Sequence, residues 1–351
     1  THLASEWQRE NVDGPDSAAG SCEILKREFG HILCNSVYGY LFEMENGWYK
    51  SPEILNLFEK IQKIGKWSME LNRNSNSEIA VIIDDLSQIY TDAEVRETLL
   101  REQRISELCR IGSMPDYYFL SDIGQIPADK YKLMVFLNIF ALDDNTRNEI
   151  NKLKKDGKTF AWIYAPGIIN TENYETLFDI NDMDELTGFK HEYSTGDELP
   201  LATEITNNDY FEELEYGHVF GQFLRDVESG ITGGPIENRQ VPDVNIRFNV
   251  KNEGITPLGV YKDTSKTAFA VKDFESWRSF YIGSIYPSSM VYREMAQKAG
   301  VHLYSDNPED IIYHNESFLC IHVKDPGVRT ISLPQETDVY DLFDNEEIGS
   351  N

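Results

Sequence analysis

Four short apolar stretches, separated by segments with helical features, dominate the first half of this 351-residue chain. The stretches cover residues 78–84, 116–120, 132–140 and 159–164. Strands that are apolar throughout and alternate with helices are typical of a parallel sheet covered on both faces. Right-handed crossovers between such strands give a doubly wound sheet. The sequence therefore predicts an α/β fold with a flavodoxin-like domain.

The helical segments between these strands carry recognisable end signals. Thr91-x-x-Glu94 has the spacing of a capping box and predicts a helix over residues 91–111, which Gly112 ends. A second helix is predicted over residues 143–155, with Gly157 just beyond it. Looser patterns predict a short helix over residues 172–179 and a strand over residues 301–304.

Elements on either side of this domain predict two further parts. Residues 1–75 indicate helix (21–34), strand (37–44) and helix (51–71), too little to close a core alone. Short strands near the C-terminus indicate a small β-module. The predicted domains are residues 1–75, residues 76–310 with a β-rich insertion near 240–275, and residues 311–351.

The turn after the fourth strand lacks a nucleophile. An amidotransferase or hydrolase of this layout needs Cys or Ser there, in a motif such as G-x-S-x-G. The chain instead has Ala165-Pro166-Gly167. We therefore predict no catalysis at this turn.

The turn after the first strand is equally unsuited to a nucleotide. A dinucleotide site needs glycines there so that backbone N–H groups can reach a pyrophosphate. The chain has Asp84-Asp85-Leu86-Ser87, and two carboxylates repel phosphate. The sequence predicts no nucleotide or flavin cofactor, and no other cofactor is indicated.

Charge and metal-ligand spacing exclude other classes of function. A net charge of −28 disfavours binding to nucleic acid or to an anionic membrane surface. The four cysteines include no CxxC pair, and the seven histidines include no HExxH motif, so no metal site is predicted. Buried free thiols are the favoured interpretation of the cysteines. The cysteines leave the cellular compartment open.

An acidic and aromatic cluster, Glu43 to Tyr49, follows the predicted strand at residues 37–44. Carboxylates accept hydrogen bonds from sugar hydroxyls, and aromatic rings stack on sugar C–H faces. Glu43, Trp48 and Tyr49 are therefore candidate sugar-binding residues. A structural turn with buried aromatic side chains is an equally good interpretation.

Several segments of the chain resemble the C-terminal part of the β-galactosidases of glycoside hydrolase family 42. Arg27-Glu28-Phe29, Gly39 to Met44 and Gly47-Trp48-Tyr49 look like the end of that family's catalytic barrel. The family's trimerisation domain has a class I glutamine amidotransferase-like fold without the nucleophile. Segments similar to that domain are residues 79–84, 116–122, 131–138 and 162–167. Residues 299–304, 321–322 and 331–334 resemble the end of that domain and the small β-domain after it.

The resemblance implies a parent enzyme that hydrolyses a glycosidic bond with two glutamates on earlier barrel strands. Those strands would precede Thr1, so the resemblance assigns no catalytic residue here. It implies a chain that is inactive alone, forms a trimer and contributes to the rim of a carbohydrate site. Two alternatives stay open: a non-catalytic assembly or binding protein, and an amidotransferase-like or ThuA-like enzyme with an unusual site.

Overall fold

The structure, a computed structural model, describes residues 17–42, 49–172, 177–228 and 235–350. These residues form two compact units. The first unit takes residues up to 76, residues 226–237 and residues from 304 onward, and the second unit takes residues 77–225 and 238–303. The predicted three-domain division stays a prediction.

A mixed sheet with eleven strands in the described residues forms the second unit. Its strands are β1 Ile79–Ile83, β2 Asp116–Phe119, β3 Leu133–Phe136, β4 Lys158–Ile163, β5 His191–Leu199, β6 Thr203–Ile205, β7 Val244–Val250, β8 Thr256–Tyr261, β9 Thr267–Asp273, β10 Trp277–Ile282 and the short strand Val219–Phe220. The strand order is β2-β1-β3-β4-β10-β9-β8-β6 followed by the short strand, and β7 pairs with β9 and β5. The predicted α/β class is confirmed.

The first five strands in this order run parallel, whereas β10, β9, β8 and β6 pair antiparallel. Strands β3 and β4 are buried along their whole length. The ring of Phe136 on β3 stacks in the core with the rings of Phe160 and Trp162 on β4. Burial on both faces explains why β3, and β4 from Phe160 onward, are apolar at consecutive rather than alternate positions.

The helices of the second unit are α3 Ala93–Arg96, α4 Asp144–Lys152, α5 Ile180–Thr187 and α6 Ser289–Lys298. Helix α3 continues as a π-helix, Glu97–Glu107, and then as a 3₁₀ turn, Leu108–Arg110. Shorter 3₁₀ turns are Ser87–Tyr90, Leu120–Gln125 and Ala128–Lys130. The two-residue strands Ala141–Leu142 and Ile169–Asn170 pair with each other.

The first unit joins two helices to two hairpins. Its helices are α1 Ala18–Cys34 and α2 Pro52–Ser68. Its strands are β11 Ile311–His314, β12 Leu319–His322, β13 Asp338–Tyr340 and β14 Glu347–Ser350, with a further short pair, Val227–Glu228 and Pro235–Ile236. No helix in the described ranges has the length and apolar character needed to cross a membrane.

Two predicted strands are absent from the described residues. Residues 37–42 form no strand: they pair with no described strand, and Tyr38 and Tyr40 are almost fully exposed. The helix predicted over residues 172–179 lies largely outside the described residues, which resume at residue 177. Helix α5 begins at Ile180, where the Asp179 side chain accepts from the Asn181 N–H. Residues 301–304 are irregular because the Val301 N–H bonds back to the Ala296 carbonyl and ends α6.

Candidate functional site

Two of the three predicted sugar-binding residues, Glu43 and Trp48, lie outside the described residues. Tyr49 is described and half-buried. Its ring lies 5.1 Å from that of Phe58 in an edge-on arrangement, and its hydroxyl donates to the Phe42 carbonyl at 3.2 Å. Tyr49 also packs on the small apolar cluster around Ile54 and Leu57. The observed contacts of Tyr49 are therefore those of a packed aromatic residue in a turn.

Tyr164 stands at the end of β4, directly before the turn Ala165-Pro166-Gly167. Its φ is +64°, a left-handed conformation that costs a non-glycine residue about 1 kcal/mol or more. The backbone is held there because the Tyr164 N–H donates to the Ile282 carbonyl and the Tyr281 hydroxyl donates to the Tyr164 carbonyl. These two hydrogen bonds hold the chain in a sharp turn, in which Tyr164 is the residue with the strained backbone.

The Tyr164 phenol is committed to packing. Its hydroxyl donates to the Ile246 carbonyl at 2.5 Å, and its ring makes edge contacts with Phe140 and Phe248. Burial raises the pKa of this phenol well above its usual range. Burial and the bond to Ile246 therefore hold the phenol in its neutral form within the core.

The polar groups at the end of β1 satisfy one another. Asp84 accepts from the Ser87 N–H at 2.8 Å and from its hydroxyl. Asn138 accepts from the Asp84 N–H at 2.8 Å and donates to the Asp84 carbonyl at 2.6 Å. The Ser87 hydroxyl oxygen accepts from the Phe140 N–H at 3.0 Å. Asp84 and Ser87 therefore hold the loop together, which is the interpretation expected for a strand-end aspartate.

A buried ionic network contacts the segment that follows β10 and the start of α6. The Glu107 carboxylate on the π-helix accepts from Arg225 Nε at 3.0 Å, from the Tyr286 hydroxyl at 2.9 Å and from the Ser289 N–H at 2.6 Å. Ser289 opens α6, so Glu107 also lies at the positive end of that helix. The Glu107 carboxylate therefore accepts hydrogen bonds from three different residues.

A second buried glutamate on the same π-helix is paired in the same manner. Glu102 receives a two-point contact from Arg239, with both nitrogen-to-oxygen distances at 3.0 Å. No sequence motif points to these pairs, because each partner lies more than 100 positions away along the chain. The one sequence feature that could have indicated these pairs is the five-residue spacing of Glu102 and Glu107, which places both on one face of a π-helix.

The ends of β1, β4 and β10 lie at the same edge of the sheet, because these strands run parallel. Open α/β sheets bind ligands outside the carboxyl ends of their strands. Here Asp84, Tyr164 and Glu107 each bond to protein groups. The hydrogen bonds of Asp84 and Tyr164 at this edge go to neighbouring protein groups.

Asp184 and His191 form a buried pair beside Tyr281. His191 Nδ1 lies 2.9 Å from Asp184 Oδ1, and Lys190 lies 3.1 Å from the other carboxylate oxygen. Burial lowers the pKa of His191 despite Asp184. Burial opposes ionisation of Asp184 as well, but hydrogen bonds from His191 and Lys190 hold its pKa below the usual value. The described residues contain no group of three His, Cys, Asp or Glu suited to a metal.

An open groove of about 830 Å³ lies within the first unit. One wall is α1, with Ile24, Arg27 and Gly30, and the other walls are the two hairpins. Most of the hairpin side chains that face it are apolar, including Ile321 and Val339. The sequence gives no motif for this groove, because its walls come from opposite ends of the chain.

Comparison with known proteins finds similarity in structure only. No protein-family model matches the chain, and no curated protein does. Among solved structures, the β-galactosidase from Bacillus circulans sp. alkalophilus superposes with a TM-score of 0.56 at 14% identity, over 85% of this chain and 42% of that one. Gan42B, a GH42 β-galactosidase from G. stearothermophilus, gives a TM-score of 0.52 at 14% identity, over 88% and 43% of the two chains.

The β-galactosidase from Rahnella sp. R3 gives a TM-score of 0.50 at 14% identity, over 80% of this chain and 41% of that one. The chain therefore spans less than half the length of these structural neighbours. At such low identity the similarity establishes a shared α/β fold. The chain has the fold of part of these GH42 β-galactosidases, as far as its described residues extend.

Proposed function

We propose that this chain is the C-terminal, non-catalytic portion of a glycoside hydrolase similar to the GH42 β-galactosidases. The observation that carries the proposal is the superposition on three such β-galactosidases over most of this chain but less than half of each enzyme. The strand order of the parallel region, β2-β1-β3-β4-β10, supports a flavodoxin-like and amidotransferase-like domain. The bonded groups at the sheet edge support a scaffold role.

The reading frame upstream of the codon for Thr1 tests this proposal. We expect it to encode barrel strands, two of which carry glutamates that act as acid/base and nucleophile. An upstream frame that encodes an unrelated domain would contradict the proposal.

We further propose that Glu43, Trp48 and Tyr49 contribute to the rim of the parent enzyme's carbohydrate site. Support comes from residue chemistry, since this segment combines a carboxylate with two aromatic rings. Binding of a β-galactoside to the purified chain, followed by saturation-transfer NMR, provides the test. Trp48→Ala should abolish the signal, whereas Trp67→Ala, which removes an exposed tryptophan on α2, should preserve it. Equal signals from both variants would contradict the rim.

An assembly role is the second candidate function, and an exposed apolar edge favours it. Strand β2 is the edge strand of the large sheet and exposes Phe119, while the adjoining turn after β1 exposes Leu86 and Ile89. We propose that this edge packs against further copies of the chain in a trimer. Large apolar side chains that are grouped on a surface mark interfaces.

Light scattering tests the assembly. The chain should have the mass of a trimer, Ile89→Glu should shift it toward monomer, and Val328→Glu, at an exposed position in the other unit, should leave it a trimer. A wild-type monomer at high concentration would remove support for this role.

A further inference from the structure

Cys34 and Cys320 converge inside the first unit. A Cβ atom built at Gly30 on α1 would lie 2.5 Å from Cys320 Sγ, so the Cys320 side chain points directly at that helix. Cys34 lies four residues after Gly30, on the same helix face, where Cβ atoms are about 5–6 Å apart. The Cα–Cβ bond of Cys34 tilts toward the helix N-terminus, and therefore toward Gly30.

The hairpin β11–β12 brings the two cysteines together by a second route. Cys34 Sγ donates to the Tyr313 carbonyl at 3.4 Å, and Tyr313 is the direct cross-strand partner of Cys320. Opposite residues of an antiparallel pair have Cα atoms about 4.5–5.5 Å apart. A disulfide requires Cα atoms about 4.4–6.8 Å apart, and Cys34 and Cys320 share Tyr313 as a common neighbour.

The two thiols differ in access to small molecules. Cys320 is half-buried and lines the groove beside Arg27, whereas Cys34 is 3% exposed. Burial raises the pKa of Cys320 to about 11, although Arg27 opposes the rise. Burial and the neighbouring Cys320 raise the pKa of Cys34 further. Cys320 is therefore the thiol that meets a reagent first.

We propose that Cys34 and Cys320 form a reversible disulfide that ties α1 to the C-terminal hairpin of the same unit. The oxidant is a low-molecular-weight disulfide of the glutathione class. The Cys320 thiolate attacks one of its sulfurs, the S–S bond breaks, and the released thiolate takes a proton. Cys34 then loses its proton and attacks Cys320 Sγ in the mixed disulfide, which releases a second small thiol. Two protein thiols are oxidised and one small disulfide is reduced to two thiols.

Such a bond closes a loop that contains most of the chain. Cross-links that close long loops restrict the unfolded ensemble most strongly. The oxidised chain should therefore unfold at a higher temperature than the reduced chain, and dithiothreitol should reverse the shift. The groove stays open to the reductant because Cys320 lies on its wall.

Peptide mapping of the full chain after incubation with oxidised glutathione at alkaline pH is the deciding experiment. We expect two of the four thiols to disappear, and a cross-linked peptide pair to contain Cys34 and Cys320. The Cys22→Ser and Cys109→Ser variants should give the same cross-link. The Cys34→Ser variant should instead stop at a glutathione adduct on Cys320.

Three results would overturn the proposal in the wild-type chain, whatever the folding of the variants. They are four thiols that all remain free, a stable adduct on Cys320 without a cross-link, and a cross-link through Cys22 or Cys109. A circular dichroism spectrum equal to that of the untreated chain ensures that the reaction occurs in the folded state.

Discussion

At the scale of single residues, Tyr164 shows how packing holds a strained backbone position in place. Tyr164 stands at the strained end of β4, yet its hydroxyl serves as a donor to the Ile246 carbonyl. The absence of Cys or Ser at residues 165–167 could be seen in the sequence. The strained position itself could not, because a tyrosine at a strand end has no distinguishing pattern until its φ is known.

Removing the Tyr164 hydroxyl should weaken the second unit. Tyr164→Phe leaves the Ile246 carbonyl without its donor, so we expect the free energy of unfolding to fall by about 1–3 kcal/mol. Urea denaturation measures this change. Tyr216→Phe removes a hydroxyl from an exposed ring and should change stability by less than about 0.5 kcal/mol. Equal losses of unfolding free energy in the two variants would mean that the Tyr164–Ile246 hydrogen bond contributes nothing to stability.

The buried His191 should make stability depend on pH. Its folded pKa lies below the ordinary 6.5, so the unfolded chain binds a proton first when pH falls through that value. The contribution of His191 to the free energy of unfolding is therefore fully present above pH 6.5 and is lost as the pH falls below that value. Asp184 and Lys190 face His191, and the lowered pKa of Asp184 removes further stability only at more acidic pH.

Urea midpoints between pH 8 and pH 5 test this dependence. His218 has a pKa lowered by burial too, so each histidine accounts for part of the slope. His191→Gln and His218→Gln should each flatten the curve in part. A slope that both variants leave unchanged would contradict the assignment.

At the scale of helices and strands, long-range packing determines which of the elements predicted from local sequence patterns form. The strands β1, β3 and β4 could be predicted because burial on both faces favours runs of consecutive apolar residues. The strand predicted at residues 37–44 failed because a strand also needs a partner, and residues 37–42 have none among the described strands. The π-helix could not be predicted, because its buried glutamates depend on Arg225 and Arg239 from distant loops.

Glu107 should stabilise the second unit far more than an exposed glutamate on the same helix. Glu107→Ala leaves Arg225 and the Tyr286 hydroxyl without their acceptor, so we expect a loss of about 3–5 kcal/mol. Glu97→Ala breaks an exposed pair with Arg101 and should cost about 0.5 kcal/mol or less. Denaturation of both variants under one set of conditions gives the comparison, and a small loss at Glu107 would refute it.

Two helix glycines should respond in opposite directions to the same substitution. Gly65→Ala on α2 places its methyl 3.9 Å from Phe29, so higher helix propensity should stabilise the first unit by about 0.5–1 kcal/mol. Gly30→Ala on α1 places its methyl against Cys320, and overpacking should cost about 1–3 kcal/mol. Thermal unfolding compares them. Stabilisation by both variants would show that α1 and Cys320 are farther apart than described.

For the whole molecule, the sequence indicated the α/β class and a resemblance to GH42 β-galactosidases, and the structural comparison supports the shared fold. The candidate sugar residues remain proposals, because Glu43 and Trp48 lie outside the described residues. The groove and the paired cysteines of the first unit escaped the sequence analysis. Their residues come from the two ends of the chain and meet only after folding.

Our central proposal is that this chain is a scaffold without catalytic groups of its own. Hydrolysis of aryl β-galactosides and aryl esters by the purified chain tests that claim most directly. We predict no turnover above the buffer rate, since Asp84, Tyr164 and Glu107 at the sheet edge all bond to protein groups. Turnover that persists through purification and disappears in Tyr164→Phe would contradict the claim.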